Sequence, residues 1–267
     1  MTVYFRFQLA LLYQAHEFRH FVVVRTLVQF HPNRCHYIRL LLALSGNLSR
    51  YPVHVLDNVY FDEEVISELV IPSDITSIGN YAFNGCNSLT NVVILDSVIS
   101  IGNYTFCGCN NLTSVEISNG VTSIGDLAFY SCDSLKSIVI PDSVTSIGNS
   151  AFSGCSSLTS IVIPDSVTSI SNSAFSSCSS LTSIEIPDSV TSIGSYAFSG
   201  CSSLTSIVIP DNVTSIGYEA FYGCSSLTDV YYTGSEAEWA EISIDNSYNY
   251  NSNLINAKKH FNYVPEE

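Results

Sequence analysis

Apolar positions along this chain recur with a spacing that changes inside a short unit and then starts again. In residues 158–180 the apolar set is Leu158, Ile161, Ile163, Val167, Ile170, the pair Ala174-Phe175, and Cys178. Ile161 and Ile163 alternate with Ser160 and Val162, which predicts a short β-strand, and the β-branched bias suits a parallel sheet. Pro164 has no N–H to give to a ladder and ends the strand; Asp165 suits the turn that follows, because an aspartate side chain can bond its own backbone there. Val167 and Ile170 then return to the core. Gly148 and its equivalents Gly79, Gly102, Gly125, Gly194 and Gly217 read as a second corner with left-handed backbone, and Ser171 is the exception in that column. The Ala-Phe pair and the cysteine three residues after Phe follow roughly helical spacing, which predicts a short helical or 3-10 turn on the outer side.

This unit is 23 residues long and repeats from Ile71 to Tyr231, seven times without an insertion. The anchor Ile71-Pro72 returns as Ile140-Pro141, Ile163-Pro164, Ile186-Pro187 and Ile209-Pro210, with Ile94-Leu95 and Ile117-Ser118 in the same register. A fixed period of this size means that no unit buries its apolar face alone, so the units stack into a solenoid with one continuous core. Side chains at one repeat position then form columns. Phe83, Phe129, Phe152, Phe175, Phe198 and Phe221 read as a core ladder. Seven of the nine cysteines, Cys86, Cys109, Cys132, Cys155, Cys178, Cys201 and Cys224, share one position. Equivalent side chains on successive turns point the same way, which argues against disulfides and against a zinc site; they read as buried, unpaired thiols. Cys107 stands outside that column and reads as the candidate exposed thiol.

Charge divides the chain. Arg6, Arg19, Arg25, Arg34, Arg39 and Arg50 lie in the first fifty residues beside one acid, Glu17, while 23 of the 24 acidic residues follow Arg50, with only Lys136, Lys258 and Lys259 as bases. So acidic a surface excludes nucleic acid as a partner of the repeats. Residues 1–54 hold apolar runs too short to span a bilayer, and no clear secretory signal. They form an atypical basic segment with three readings: a cap on the first turn, a separate small domain, or a start codon placed too far upstream. The solenoid occupies 55–231. In 232–267, Ser235 followed by Glu238 is a capping-box signature, and Trp239 and Ile242 are placed to cover the last turn.

The pattern Leu-x-x-Ile-x-Ile-Pro-x-x-Val-x-x-Ile-Gly-x-x-Ala-Phe-x-x-Cys, from Ile66 to Tyr231, resembles the leucine-rich repeats of the BspA-like (treponemal-type) family. It departs from the commonest leucine-rich repeats by lacking their Asn or Cys ladder at the position that here reads Asp74, Ser97, Gly120, Ser143, Ser166, Ser189 and Asn212. The tail from Tyr231 through Trp239 to Ala257 resembles the family's terminating unit. The resemblance implies an α/β solenoid, a right-handed leucine-rich-repeat superhelix of short parallel strands with a C-terminal cap. It also implies a cell-surface or secreted protein, a monomer, that binds a protein or glycoprotein ligand such as extracellular matrix, host cells or other microbes, with no catalytic residues.

The chemistry agrees. The repeats contain no His or Arg and a single Lys, so no histidine-based nucleophile triad can be built in them. Carboxylates on neighbouring turns leave an acid-pair glycosidase as the weaker alternative. The column Asp96, Asp142, Asp165, Asp188 and Asp211 is a row of turn formers before it is a calcium site, and neither a cofactor nor a metal is expected. The expected binding face is the solvent side of the strands: Asn91, Val93, Ser114, Glu116, Lys136, Val139, Val162, Glu185 and Val208. Outer tyrosines Tyr81, Tyr104, Tyr130, Tyr196, Tyr218 and Tyr222 form a rival patch. The lack of a clear signal keeps open a cytoplasmic scaffold of the same fold.

Overall fold

In the computed structural model, residues 67–71 and 73–265 are described in full. Before them the backbone of two antiparallel pairs is described, Val23–His31 with Arg34–Leu42 and Tyr60–Phe61 with Glu64–Val65. The remainder of the basic segment, and with it the three readings of residues 1–54, lies outside the described residues.

The described residues from Glu68 onward form a parallel β-solenoid. Each turn gives one strand to a long sheet and two residues to a short one. In the long sheet, Glu68–Ile71, Asn91–Ile94, Ser114–Ile117, Ser137–Val139 and Ser160–Val162 pair in parallel and in register, and we number the turns one to five by these strands. Ser183–Glu185, Ser206–Ile209 and Asp229–Tyr232 continue as turns six to eight and are joined by Lys258–His260. The short sheet runs Ser77–Ile78, Ser100–Ile101, Ser123–Ile124, Ser146–Ile147, and resumes with Ser192–Ile193, Ser215–Ile216 and Ser243–Ile244. Strand burial alternates as period two requires, so Val70, Glu116, Val139 and Val162 face out while Leu69, Val115, Ile138 and Ile161 face in.

The core is one cluster from Leu69 to Ala257 built of the predicted columns. The phenylalanines stack with centroids 5.3–5.7 Å apart, and the column includes Phe106, whose neighbour Thr105 stands where other turns have Ala. Buried Thr105 satisfies its hydroxyl by donating to Gly102 O at 2.7 Å. The seven column cysteines are free and buried. Six of their Sγ atoms lie 3.1–3.2 Å from the carbonyl oxygen of the phenylalanine 26 residues earlier, a weak S–H donation between turns. Burial pushes these thiols up, to about 12 at Cys86, Cys155 and Cys224.

Three local expectations are corrected. Among the described residues, helix is confined to α1 (Glu236–Glu241), α2 (Ser252–Asn256) and a 3-10 turn at Ser247–Asn249; the outer segments are successive turns. Their N–H groups alternate: Phe152 donates forward to Ala174 O at 2.9 Å, while its neighbours Ala151 and Ser153 close single turns back to Gly148 O at 3.3 Å and Ser150 O at 3.1 Å, so no continuous helical ladder forms. The glycine column is not left-handed. A Cβ on Gly148 would lie 2.5 Å from Asp126 N and Gly125 C, so glycine is needed for close approach to the preceding turn. The left-handed positions are two other columns, Tyr81, Tyr104, Leu127, Ser150, Ser173, Tyr196 and Glu219, and Gly85 with its equivalents, among which Ser131 and Ser177 stand for glycine. At the proline corner, Val144 N–H donates to Pro141 O at 3.0 Å, and the side chain tying it to the previous turn is Ser143, whose hydroxyl donates to Val121 O at 2.6 Å. An asparagine and aspartate ladder does run six residues beyond the position that lacks the usual one. Asn80 Oδ1 accepts from Asn103 N at 2.7 Å, Asn103 Oδ1 from Asp126 N at 2.9 Å, and Asp126 Oδ1 from Asn149 N at 2.7 Å.

Candidate binding surface

The solvent side of the long sheet carries two parallel rows of side chains. One row reads Asn91, Ser114, Ser137, Ser160 and then Ser183, Ser206, Asp229, Lys258; the other reads Val70, Val93, Glu116, Val139, Val162 and then Glu185, Val208, Tyr231, His260. The register therefore brings the predicted residues onto one face. Their exposure is uneven. Val139 and Val162, neighbours in the row, are 72% and 74% exposed, whereas Asn91, Val93 and Val208 are half-buried. Lys136 lies beside these rows in the threonine column, exposed.

The threonine column beside these rows turns its polarity toward the neighbouring turn. Thr113 Oγ1 donates to Thr90 O at 2.9 Å, Thr205 to Thr182 O at 3.0 Å and Thr159 to Lys136 O at 3.3 Å, while Ser114 Oγ donates to Asn91 Oδ1 at 2.8 Å. The threonine column is thus largely committed to the neighbouring turn, whereas the hydroxyls of Ser137, Ser160, Ser183 and Ser206 stay open to solvent beside the valines and the glutamates. Glu116 and Glu185 are three turns apart in the row, about 14 Å at the sheet's strand spacing. That exceeds the carboxyl separations used in glycoside hydrolysis.

The tail adds residues that the repeat alone did not point to. His260 is the one histidine beyond residue 54, and the strand Lys258–His260 brings its Nε2 to 2.7 Å from Asp229 Oδ1. Thr228 Oγ1 donates to Asp229 Oδ2 at 2.8 Å. The bond to His260, then that to Thr228, holds the Asp229 carboxyl below the usual carboxylate range. Tyr231 stacks on His260 at 4.6 Å and lies 4.7 Å from Tyr263, closing the exposed row with aromatic rings. Among the described residues no hydrogen bond joins His260 to a serine, threonine or cysteine, so the pair lacks the nucleophile of a triad. No three His, Cys, Asp or Glu side chains among the described residues come together where they could hold a metal ion. Cys107, expected exposed, is half-buried, and its thiol is raised by that burial against a bond to Asn84.

The outer tyrosines do not form one patch. Tyr81 and Tyr104 stack at 4.6 Å in the first two turns, and Tyr130 stands apart. Tyr196, Tyr218 and Tyr222 join Tyr248 and Tyr250 from the tail in one cluster.

Beyond turn eight the tail packs on the last turns. Ser235 caps α1 through Glu238, with Ser235 N 2.8 Å from Glu238 Oε2 and Glu238 N 3.3 Å from Ser235 Oγ. Buried Asn251 accepts from Phe221 N at 2.9 Å and donates to Gly217 O at 2.9 Å and Asp245 O at 2.6 Å, supplying with one side chain the bonds the next turn would make. Among the described residues no helix is long and apolar enough to cross a membrane.

Comparison with known proteins follows the geometry. A family model described as BspA type leucine rich repeat region matches in six copies, over residues 54–179 and 122–255. Among solved structures, a leucine rich repeat protein of T. pallidum is 30% identical, covering 74% of this chain and 87% of its own, with a TM-score of 0.58. A leucine-rich repeat protein from Bacteroides ovatus is 28% identical, covering 81% of this chain and 71% of its own, with a TM-score of 0.52. A leucine rich cell surface protein from Faecalibacterium prausnitzii is 30% identical over 68% of this chain, with a TM-score of 0.49, and this chain spans 63% of its length. No curated protein matches.

Proposed function

Because the chain belongs to the BspA-type leucine-rich repeat family, we propose that it is a binding protein that takes a protein or glycoprotein ligand along the solvent side of its long sheet. The family and fold are those of leucine-rich repeat proteins, which are interaction modules and generally non-enzymatic. The observation that carries the reading is the adjacent pair Val139 and Val162, more than 70% exposed on the solvent side of the sheet beside a row of small serines. Glu116 and Glu185 bracket that pair and set its polarity. In this reading the solenoid of residues 55–231 is a right-handed superhelix of α/β leucine-rich type presenting the long sheet as its concave side. Residues 1–54 are a separate basic segment, and residues 232–267 are the cap that ends the stack, through Asn251, Trp239 and Ile242. The protein works as a monomer at the cell surface or secreted, in keeping with its family, and its ligands are of the extracellular-matrix class.

The test is binding of immobilised extracellular-matrix glycoproteins to the full chain and to the double variant Val139→Lys/Val162→Lys. Both positions are exposed, so the fold should tolerate the change, and the variant should bind about tenfold or more weakly. Full-strength binding by the variant would exclude this face. Surface labelling of intact source cells tests location, and recovery only from cytosol would overturn it.

A further inference from the structure

The five tyrosines of the C-terminal cluster differ in geometry from every other aromatic column here. The phenylalanines of turns one to six stack nearly flat, with interplanar angles of 2–9°, and Tyr81 lies on Tyr104 at 10°. Tyr196–Tyr218, Tyr218–Tyr250 and Tyr222–Tyr250 instead meet at 79°, 87° and 85°, with centroids 5.3–5.6 Å apart, and Tyr248 leans on Tyr250 at 5.7 Å. Rings at right angles build the walls of corners. The outer walls are open, with Tyr222 at 49% and Tyr248 at 83% exposure. Ring faces are the electron-rich side of an aromatic, and perpendicular faces around one space suit a cation.

The charge nearby has the same sense. Glu219 lies between Tyr218 and Tyr222 in the chain, and Asp245 Oδ1 accepts from Ser247 N at 3.0 Å, the residue before Tyr248. The solenoid supplies no cation of its own to the cluster. Among the described residues the one cation over a ring is Lys259 above Trp239, and its Nζ is committed to the carbonyls of Leu254, Ile255 and Ala257 at 2.5–2.8 Å.

We propose that this cluster is a second docking surface, independent of the long-sheet face, for a lysine- or arginine-rich extended segment of a partner protein. The cationic heads enter the corners between the tyrosine rings, and Glu219 with Asp245 supplies the complementary charge. A glycan, which also stacks on tyrosine, is the competing class of partner.

The test uses the full chain, a synthetic nona-arginine peptide and the neutral sugar maltohexaose, at about 0.5 M salt so that diffuse attraction is screened. Tyr222→Leu/Tyr248→Leu keeps apolar area and net charge but removes two ring faces; Tyr222→Phe/Tyr248→Phe keeps the faces and removes the hydroxyls. The expected result is peptide binding weakened on the order of tenfold by the leucine pair and retained by the phenylalanine pair, with Val139→Lys/Val162→Lys binding the peptide like the parent. Peptide binding equal in the leucine pair and the parent overturns the proposal. So does loss in both tyrosine variants together with tyrosine-dependent binding of maltohexaose. An unchanged melting temperature in both pairs, expected at such exposed positions, shows that any difference is at the surface.

Discussion

The junction between turns three and four has Gly148 in the glycine column, and the junction between turns four and five has Ser171 there. At the first, Gly148 N–H donates to Ile124 O at 2.9 Å, Thr145 N–H to Thr122 O at 2.9 Å and Asn149 N–H to Asp126 Oδ1 at 2.7 Å. At the second, Ser171 stands in the glycine column, and among the described residues none of the three equivalent bonds forms; the Ser171 hydroxyl reaches Ile147 O instead, at 2.5 Å. Ile170 pairs with Ile193 of turn six, while the long-sheet strand of the same turn stays paired with turn four and is not paired with Ser183–Glu185. The pattern is that of a plate tilted away from its predecessor at the short sheet and toward it at the long one. The outer wall is uncut, with Ser150 N bonded to Asn172 O and Phe152 N to Ala174 O, both at 2.9 Å. Hence a single Cβ, in a column where a Cβ added to glycine would meet the backbone behind it at 2.5–2.8 Å, divides the short sheet into two blocks, which stay joined by the long-sheet pairing of turns four and five and by the aromatic wall.

The largest expected effect is common to both blocks and so isolates what they share. All seven column thiols are raised by burial, so the native state keeps its protons where the unfolded chain gives them up. That contribution is complete below pH 9 and is lost as pH rises from 9 toward 12, at up to about 1.4 kcal/mol per pH unit for each thiol. Denaturant midpoints measured from pH 8 to 10.5 should fall steeply, and Cys132→Ala should flatten the slope even where it lowers the starting stability. Next, Phe152→Ala removes a ring from the wall that spans the junction, where Phe152 and Phe175 are 5.7 Å apart. A cost of about 3–5 kcal/mol is expected, with melting that separates into two transitions; Phe129→Ala should cost a similar amount and keep one. Third, Gly148→Ser should copy the break one turn earlier and destabilise by about 1–3 kcal/mol, since up to three bonds between turns are lost or displaced. Smallest, Ser171→Gly should rejoin the blocks and gain about 1 kcal/mol, the restored bonds being partly offset by glycine's flexibility in the unfolded chain.

What the sequence made readable were the features that a period amplifies. The Phe, Cys and Ile columns, the parallel register and the outward row of Val139, Val162 and Glu185 follow from residue type and spacing, because each is repeated by its neighbours. The glycine column was misread for a physical reason. The letter Gly serves both a positive φ and a close approach, and one sequence does not say which, so Gly148 looked like a corner when it is a contact. The left-handed column escaped because its residues are Tyr, Leu, Ser and Glu; the conformation there aims N–H groups at the next turn, as in Ser150 to Asn172 O, and is imposed by stacking. The tyrosine cluster and the Asp229–His260 pair were half visible. Each joins a repeat residue to a tail residue about thirty positions away, where the period no longer predicts who meets whom.

The most direct measurement is amide hydrogen exchange, residue by residue, on the parent and on Ser171→Gly. The account predicts fast exchange at Thr168, Ser171 and Asn172 beside slow exchange at Thr145, Gly148 and Asn149, with the fast set becoming protected in the glycine variant. Equal protection of the two sets in the parent would contradict the claim that one Cβ parts the short sheet.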